Sequence, residues 1–370
     1  MNIPRCSLSS WKNLYDAADA FREIACWDWM SDVDLFGVQN PNSGEIGYCC
    51  VLGEFGEVFG LVVYLGSAGL EQHRKIQSGK IHAGLSDAVY SQNCLTAWFG
   101  GRSELDKNDR KVVKDLGRKY RGGDDWPQFR SIQPGYIPWF LAEDEAKFLT
   151  LCLAQARQIA LRFAKDPGCL TAPGKNLYLV QVSRQKTDSR SVAQPSGSSV
   201  APGQQTLFPE TVEDPEFEWD SQWLAPAPLI KTPVRPVPLD ELRLQRIKKT
   251  SQGHRGIWEI DAFFTPSPVD NGDRPFLPFT LLCAERDSGM ILGTVLAEVT
   301  TWETEFAKAF LESVEQHKIL PNKLSMRKEE LRQLFAPLAA QLGIEIESSK
   351  KLAAVDRAKR GLLKFMEGRL

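Results

Sequence analysis

The stretch GIWEIDAFFTPSP, residues 256–268, decides how the second half of this chain is read. It is an apolar run of strand length closed by proline and serine, and Trp258-Glu259-Ile260-Asp261 sets a carboxylate at its end. Two more strand-length runs follow, FLPFTLLCAERD and MILGTVLAEV, with Arg286, Asp287, Ser288 and Gly289 supplying the turn between them. Beyond them the period changes. TEFAKAFLESVEQHK is a helix, and LPNKLSMR holds a short strand. KEELRQLFAPLAAQLG is a helix broken or shifted at Pro337, IEIESS is a strand, and KKLAAVDRAKRGLLKFMEG is a last helix. The order is βββ-α-β-α-β-α.

The first half has a different grammar. SWKNLYDAADAFREIAC is an amphipathic helix that Ser9 or Ser10 can cap. Three strands then run through DLFGVQN, IGYCCVLG and VFGLVVYLG, joined by turn-rich segments into an antiparallel meander. GSAGLEQHRKIQ starts a helix directly after a strand, LTAWFGGR is a further strand, and ELDKNDRKVVKDLGRKY is a charged surface helix. A long amphipathic helix, DEAKFLTLCLAQARQIALRFAKD, and a closing strand, NLYLVQVSR, complete an α+β domain over 1–185. Residues 186–235 turn Ser/Gly/Pro-rich, then acidic, then proline-rich, and read as a linker. Phe217, Trp219 and Trp223 indicate that part of it docks on a domain. The second domain takes 236–370.

At 370 residues the chain suits two domains, and with 42% hydrophobic and 25% charged residues each can bury a core. A formal net charge of -2 gives no global field toward nucleic acid or membrane, so any such role needs a local patch. No signal peptide opens the chain and no apolar run approaches the roughly 20 residues of a membrane span, so the expectation is a soluble, cytoplasmic protein. None of the eight cysteines forms C-x-x-C, and the four histidines form no H-x-x-x-H. They predict buried thiols and no zinc site. No phosphate-binding G-x-x-x-x-G-K-[ST], no dinucleotide G-x-G-x-x-G and no nucleophile-elbow G-x-S-x-G is present, so no cofactor is expected.

WDWMSDVDLFGVQNPNSGEIGYCCVLGEFGEVFGLVVYLGSAGL and DWPQFRSIQPGYIPWFLAEDEAKFL resemble the first domain of a family of uncharacterised bacterial proteins. RPFLPFTLLCAERDSGMILG and LPNKLSMRKEELRQLFAPLAAQLGIEI resemble the domain that follows it there. That family carries no known activity. The strand and helix order of the second domain also resembles an RNase H-like core of the integrase and DDE type. Such a core implies two divalent metals, Mg²⁺ or Mn²⁺, held by a first-strand Asp, an Asp after the fourth strand and an acid on a later helix. Asp261 matches the first and Asp356 is a candidate for the last. After the strand in LPNKLSMR stand Ser325, Met326 and Arg327 in place of an acid, and Arg357, Lys359 and Arg360 surround Asp356. The resemblance therefore implies a degenerate site, with a metal-dependent nuclease or strand-transfer enzyme as the alternative.

Two further features are candidates for binding. YRGGDDWPQFRSIQPGYIPWFLAEDE, residues 120–145, sets Arg121, Trp126, Arg130, Tyr136 and Trp139 in a long irregular stretch. Such a segment either stacks bases and grips phosphate or packs as a buried loop, with Asp124 and Asp125 paired to Arg121 and Arg130. The basic tract RLQRIKKTSQGHR precedes the second domain, and KKLAAVDRAKRGLLKFMEGR, with Lys359 and Arg360, closes it as a helix that could sit on phosphate or on an anionic membrane, or simply dock on the core as an ordinary amphipathic helix. The sequence thus predicts a non-catalytic binding protein with a nucleic acid or protein partner.

Overall fold

A computed structural model describes residues 6–229 and 234–367, apart from 55, 57, 80–90, 186–216 and 271. The first seven strands make one mixed sheet: β1 (Phe36–Gln39), β2 (Ile46–Leu52), β3 (Phe59–Leu65), β4 (Cys94–Gly100), β5 (Trp126–Ile132), β6 (Tyr178–Gln185) and β7 (Phe217–Leu224), in the order β5-β4-β3-β2-β1-β6-β7. Every neighbouring pair is antiparallel except β1 with β6. Helices α1 (Leu8–Glu23) and α4 (Glu143–Lys165) cover one face through Leu14, Ala18, Phe21, Leu149 and Leu153. Helix α2 (Gly66–Gln77) covers the other through Leu70, and α3 (Lys107–Asp115) lies before β5. Strand alternation sends Cys49 into the first core and its neighbour Cys50 into the second. All eight cysteines are free thiols, and all but Cys6 are buried.

Several elements differ from the expectation. Ser7, not Ser9 or Ser10, caps α1, because its hydroxyl is the one that accepts Ser10 N–H, at 3.1 Å. Residues 126–132 are a strand whose alternate residues Pro127, Phe129 and Ser131 face inward. Pro127 is tolerated because β5 is the edge strand. Phe217–Leu224, inside the expected linker, pairs with β6, and Trp219 and Trp223 pack on the first core. The Ser/Gly/Pro-rich part of that linker, 186–216, lies outside the described residues.

After β7 the chain reaches α5 (Glu241–Thr250), with Val234, Val237 and Leu239 lying on the core of the second sheet. Strands β8 (Ile257–Phe264), β9 (Phe279–Glu285), β10 (Ile291–Ala297), β11 (Lys323–Met326) and β12 (Glu345–Ser348) form a five-stranded sheet ordered β10-β9-β8-β11-β12. Strands β8, β9 and β10 are antiparallel, and β11 runs parallel to both β8 and β12. With α6 (Trp302–His317), α7 (Glu329–Leu342) and α8 (Ala353–Glu367) in the three intervals that follow β10, this is the RNase H-like arrangement. Trp258, Ile260 and Ala262 of β8 pack with α5, α6 and α7, while Phe263 packs with Leu352 and Val355 beside α8. Period-two alternation therefore turns Glu259 and Asp261 toward α8. Pro337 does not break α7. It and Gln333, whose carbonyl its missing N–H leaves unbonded, both lie on the exposed side of the helix. No helix among the described residues is long and apolar enough to cross a membrane.

Candidate functional site

Asp261 is 4% exposed, near the middle of a strand paired on both sides. The β8–β11 register pairs Ser325 with Glu259 and Met326 with Ile260, so the next residue, Arg327, falls beside Asp261. Its guanidinium is shared: Nε lies 3.2 Å from Asp261 Oδ2, and Nη2 donates to Asp356 Oδ1 in the first turn of α8. The Asp261 contact is an ion pair without hydrogen-bond alignment, so Arg327 Nε is buried with no hydrogen-bond partner, as is the other Asp261 oxygen, Oδ1. Burial pushes the Asp261 carboxyl above its ordinary range, against the pull of Lys328, Arg327 and Lys359. Lys328 Nζ lies 5.4 Å from the Phe279 ring centre and Lys359 Nζ 4.3 Å from that of Phe263.

Asp261 and Asp356 are thus brought together, with a fixed cation between them. A two-metal centre needs oxygen ligands converging on an open point, and here a guanidinium fills that point. The residues do not fit Mg²⁺ or Mn²⁺. Among the described residues no group of three or more His, Cys, Asp or Glu could hold a metal. Other acids near the sheet are engaged elsewhere. Glu285 accepts from Ser288 N and Oγ in the β9–β10 turn, at 2.6 and 2.7 Å, and Glu345 pairs with Lys323 at 3.0 Å.

The buried acid that the sequence reading passed over is Glu259, two residues before Asp261 on the same face. At 2% exposure it accepts Ala354 N–H at 2.8 Å and Val355 N–H at 3.2 Å, so it caps the start of α8 from below. Arg286 donates to it at 3.2 Å and to Glu347 at 3.0 Å, and Ser325 Oγ donates to the same Glu347 oxygen at 3.1 Å. The Arg286 guanidinium holds the Glu347 carboxyl below its ordinary range. This network fixes α8, and hence Asp356, against β8. The i, i+2 spacing of Glu259 and Asp261 was the signal that could have revealed it.

The aromatic segment does not assemble into one pocket. Arg121 is exposed. Trp126 is half-buried, 5.8 Å from the Arg102 guanidinium and 5.4 Å from the Tyr120 ring. Arg130 is taken by Asp109, at 2.6 Å, and stacks 4.8 Å over Phe140. Asp125 pairs with Arg22 at 2.7 Å, so the pairing expected between the segment's own acids and arginines does not form there. Trp139 is 8% exposed. Tyr136 leaves this domain altogether and donates to Glu298 at 2.5 Å.

The two basic tracts lie on opposite faces of the second sheet. Leu244 and Ile247 of α5 pack in the α6–α7 core, while Leu352 and Val355 pack in the α8 core. One nucleic-acid surface cannot use both. On the α8 face Arg360 is exposed and Lys359 partly so, on the helix whose Asp356 holds Arg327.

Residues 11–181 match a family model described as Domain of unknown function (DUF7309), and residues 243–363 match one described as Domain of unknown function (DUF6930). The curated proteins contain no match to the chain. Among solved structures the chain is similar to the HTLV-2 integrase catalytic core domain in complex with magnesium (dimeric form), at 14% identity over 30% of this chain and 68% of that one, with a TM-score of 0.23.

Proposed function

We propose that this chain is a non-catalytic binding protein whose RNase H-like domain holds a ligand without cutting it. The observation that carries the proposal is the Arg327 guanidinium between Asp261 and Asp356. It supplies inside the protein the positive charge that a metal supplies in a nuclease core, and it cannot activate water as a bound metal does.

The ligand this face favours is a phosphodiester backbone. Arg327 touches both acids, and Lys359 and Arg360 extend the cationic strip along α8. Three cations near two acids leave a local positive excess in a protein of net charge -2, and that excess suits phosphate. Because α5 lies behind the sheet, the footprint is one-sided and short.

Fluorescence anisotropy of labelled single- and double-stranded DNA and RNA tests this. Wild-type protein should bind with an affinity that falls steeply with salt while the probe stays intact, and Lys359→Glu with Arg360→Glu should weaken binding about tenfold or more at low salt. Binding indifferent to charge reversal would take this face out of the contact, and no binding to any probe would remove nucleic acid and leave a protein partner as the ligand.

A further inference from the structure

The aromatic segment that ends in no pocket ends instead on the other domain. In the β8–β9 connection Val269 and Phe276 exchange backbone hydrogen bonds of 2.8 and 3.0 Å, so residues 265–270 and 272–278 run back along each other. Phe276 also bridges antiparallel to Tyr136 of the first domain. Ile137 N–H donates to Pro275 O at 3.2 Å and Leu277 N–H to Gly135 O at 2.8 Å, so the strand-like pairing crosses from one domain to the other. On the first-domain side Ser131 and Trp139 exchange two more backbone hydrogen bonds, of 2.8 and 2.9 Å.

Side chains complete the junction. Arg274 reaches out of the hairpin and donates to Ser131 O at 2.6 Å and twice to Ile137 O, at 3.0 and 3.1 Å, with its guanidinium 5.4 Å from the Tyr136 ring centre. Three charge-assisted hydrogen bonds from two nitrogens to two carbonyls make a directional contact. Tyr136 meanwhile donates to Glu298, just past β10. Gly135, at φ +79°, lies so close to the second domain that a Cβ there would stand 2.4 Å from Val299 and 3.2 Å from Phe264. Only glycine meets both requirements, the left-handed backbone and the close approach.

We propose that residues 131–139 with 265–270 and 272–278 are a latch that joins the two domains into one body, with each domain as the other's partner. Every residue of the latch falls within a span matched by a family model, 131–139 in the first and 265–270 and 272–278 with Glu298 in the second. The latch grips the hairpin that continues β8, the strand carrying Glu259 and Asp261. A ligand on the α8 face therefore meets a second domain whose neighbour is held in place.

Hydrogen exchange on the full chain tests this without dividing it. The amides of Ile137 and Leu277 cross the junction in opposite directions, so a latch protects both. Arg274→Ala should speed exchange at both together by about tenfold or more while sheet-interior amides such as Val62 and Ile260 keep their rates. Tyr136→Phe, which leaves the backbone pairing and removes the Glu298 bond, should speed the same two amides by a smaller factor. Fast exchange at both in the wild type, or loosening of one amide without the other in either variant, would overturn the proposal.

Discussion

At the scale of residues, Asp261 and Arg327 should answer mutation in opposite directions. Asp261 has its carboxyl raised by burial, and one of its oxygens finds no partner. An acid whose folded pKa lies above its unfolded value loses stability as pH rises through that window, and carries the whole cost at neutral pH. Asp261→Asn removes that cost and keeps the shape, so it should leave stability unchanged or raise it. Arg327→Ala leaves two carboxylates facing each other and should cost about 1–3 kcal/mol, below the figure for a fully buried pair because Asp356 is 34% exposed. Urea unfolding of both variants at neutral pH checks the contrast. A loss for Asp261→Asn as large as that for Arg327→Ala would contradict it. In the sequence Asp261 was legible as a strand-borne acid, and so was the missing acid after β11. That the arginine there turns back to bridge two acids depends on the β8–β11 register, which spacing alone does not set.

At the scale of elements, legibility followed the length and period of each segment. The strands of both sheets and the long helices appeared where their apolar periods placed them. β5 did not, because Pro127, Gln128 and Arg130 hide its alternation and only its edge position lets a proline in. β7 did not, because FEWDSQWL is half-exposed and acidic, and its two tryptophans carry its attachment. One residue that ties α1 to α4 is one that spacing could not single out. Glu143, the first residue of α4, accepts Ser10 Oγ at 2.6 Å and Ser7 N–H at 2.8 Å, and so ties the two helix starts together. These bonds, led by that from Ser10, lower its carboxyl from 4.5 to about 2. A depressed folded pKa contributes stability that is present above the unfolded value and is lost as pH falls from 4.5 toward about 2. Glu143→Gln should therefore lower stability at neutral pH and flatten its fall across that acid window. Thermal melts over this pH range check it, and a fall as steep as that of the wild type would count against the tie.

At the scale of the whole molecule, two sheets with separate cores meet, among the described residues, at a short run of backbone pairing completed by Arg274 and Tyr136. Composition and length indicated two domains but held no sign of how they join. The latch uses loops from chain positions more than a hundred residues apart, and its aromatics read in sequence as a ligand site. Aromatic and arginine side chains serve a bound base and a neighbouring domain by the same stacking and hydrogen bonding, so residue type alone does not tell them apart. The site on the second domain has a sharper signature, since its chemistry turns on which cation stands between two acids. The most direct test is to incubate labelled single- and double-stranded DNA with purified protein in Mn²⁺ and in EDTA, and to resolve the probe on a denaturing gel. With Arg327 in the metal's place the probe should come through intact in both. Cleavage that needs Mn²⁺ and disappears in Asp261→Asn would contradict the account.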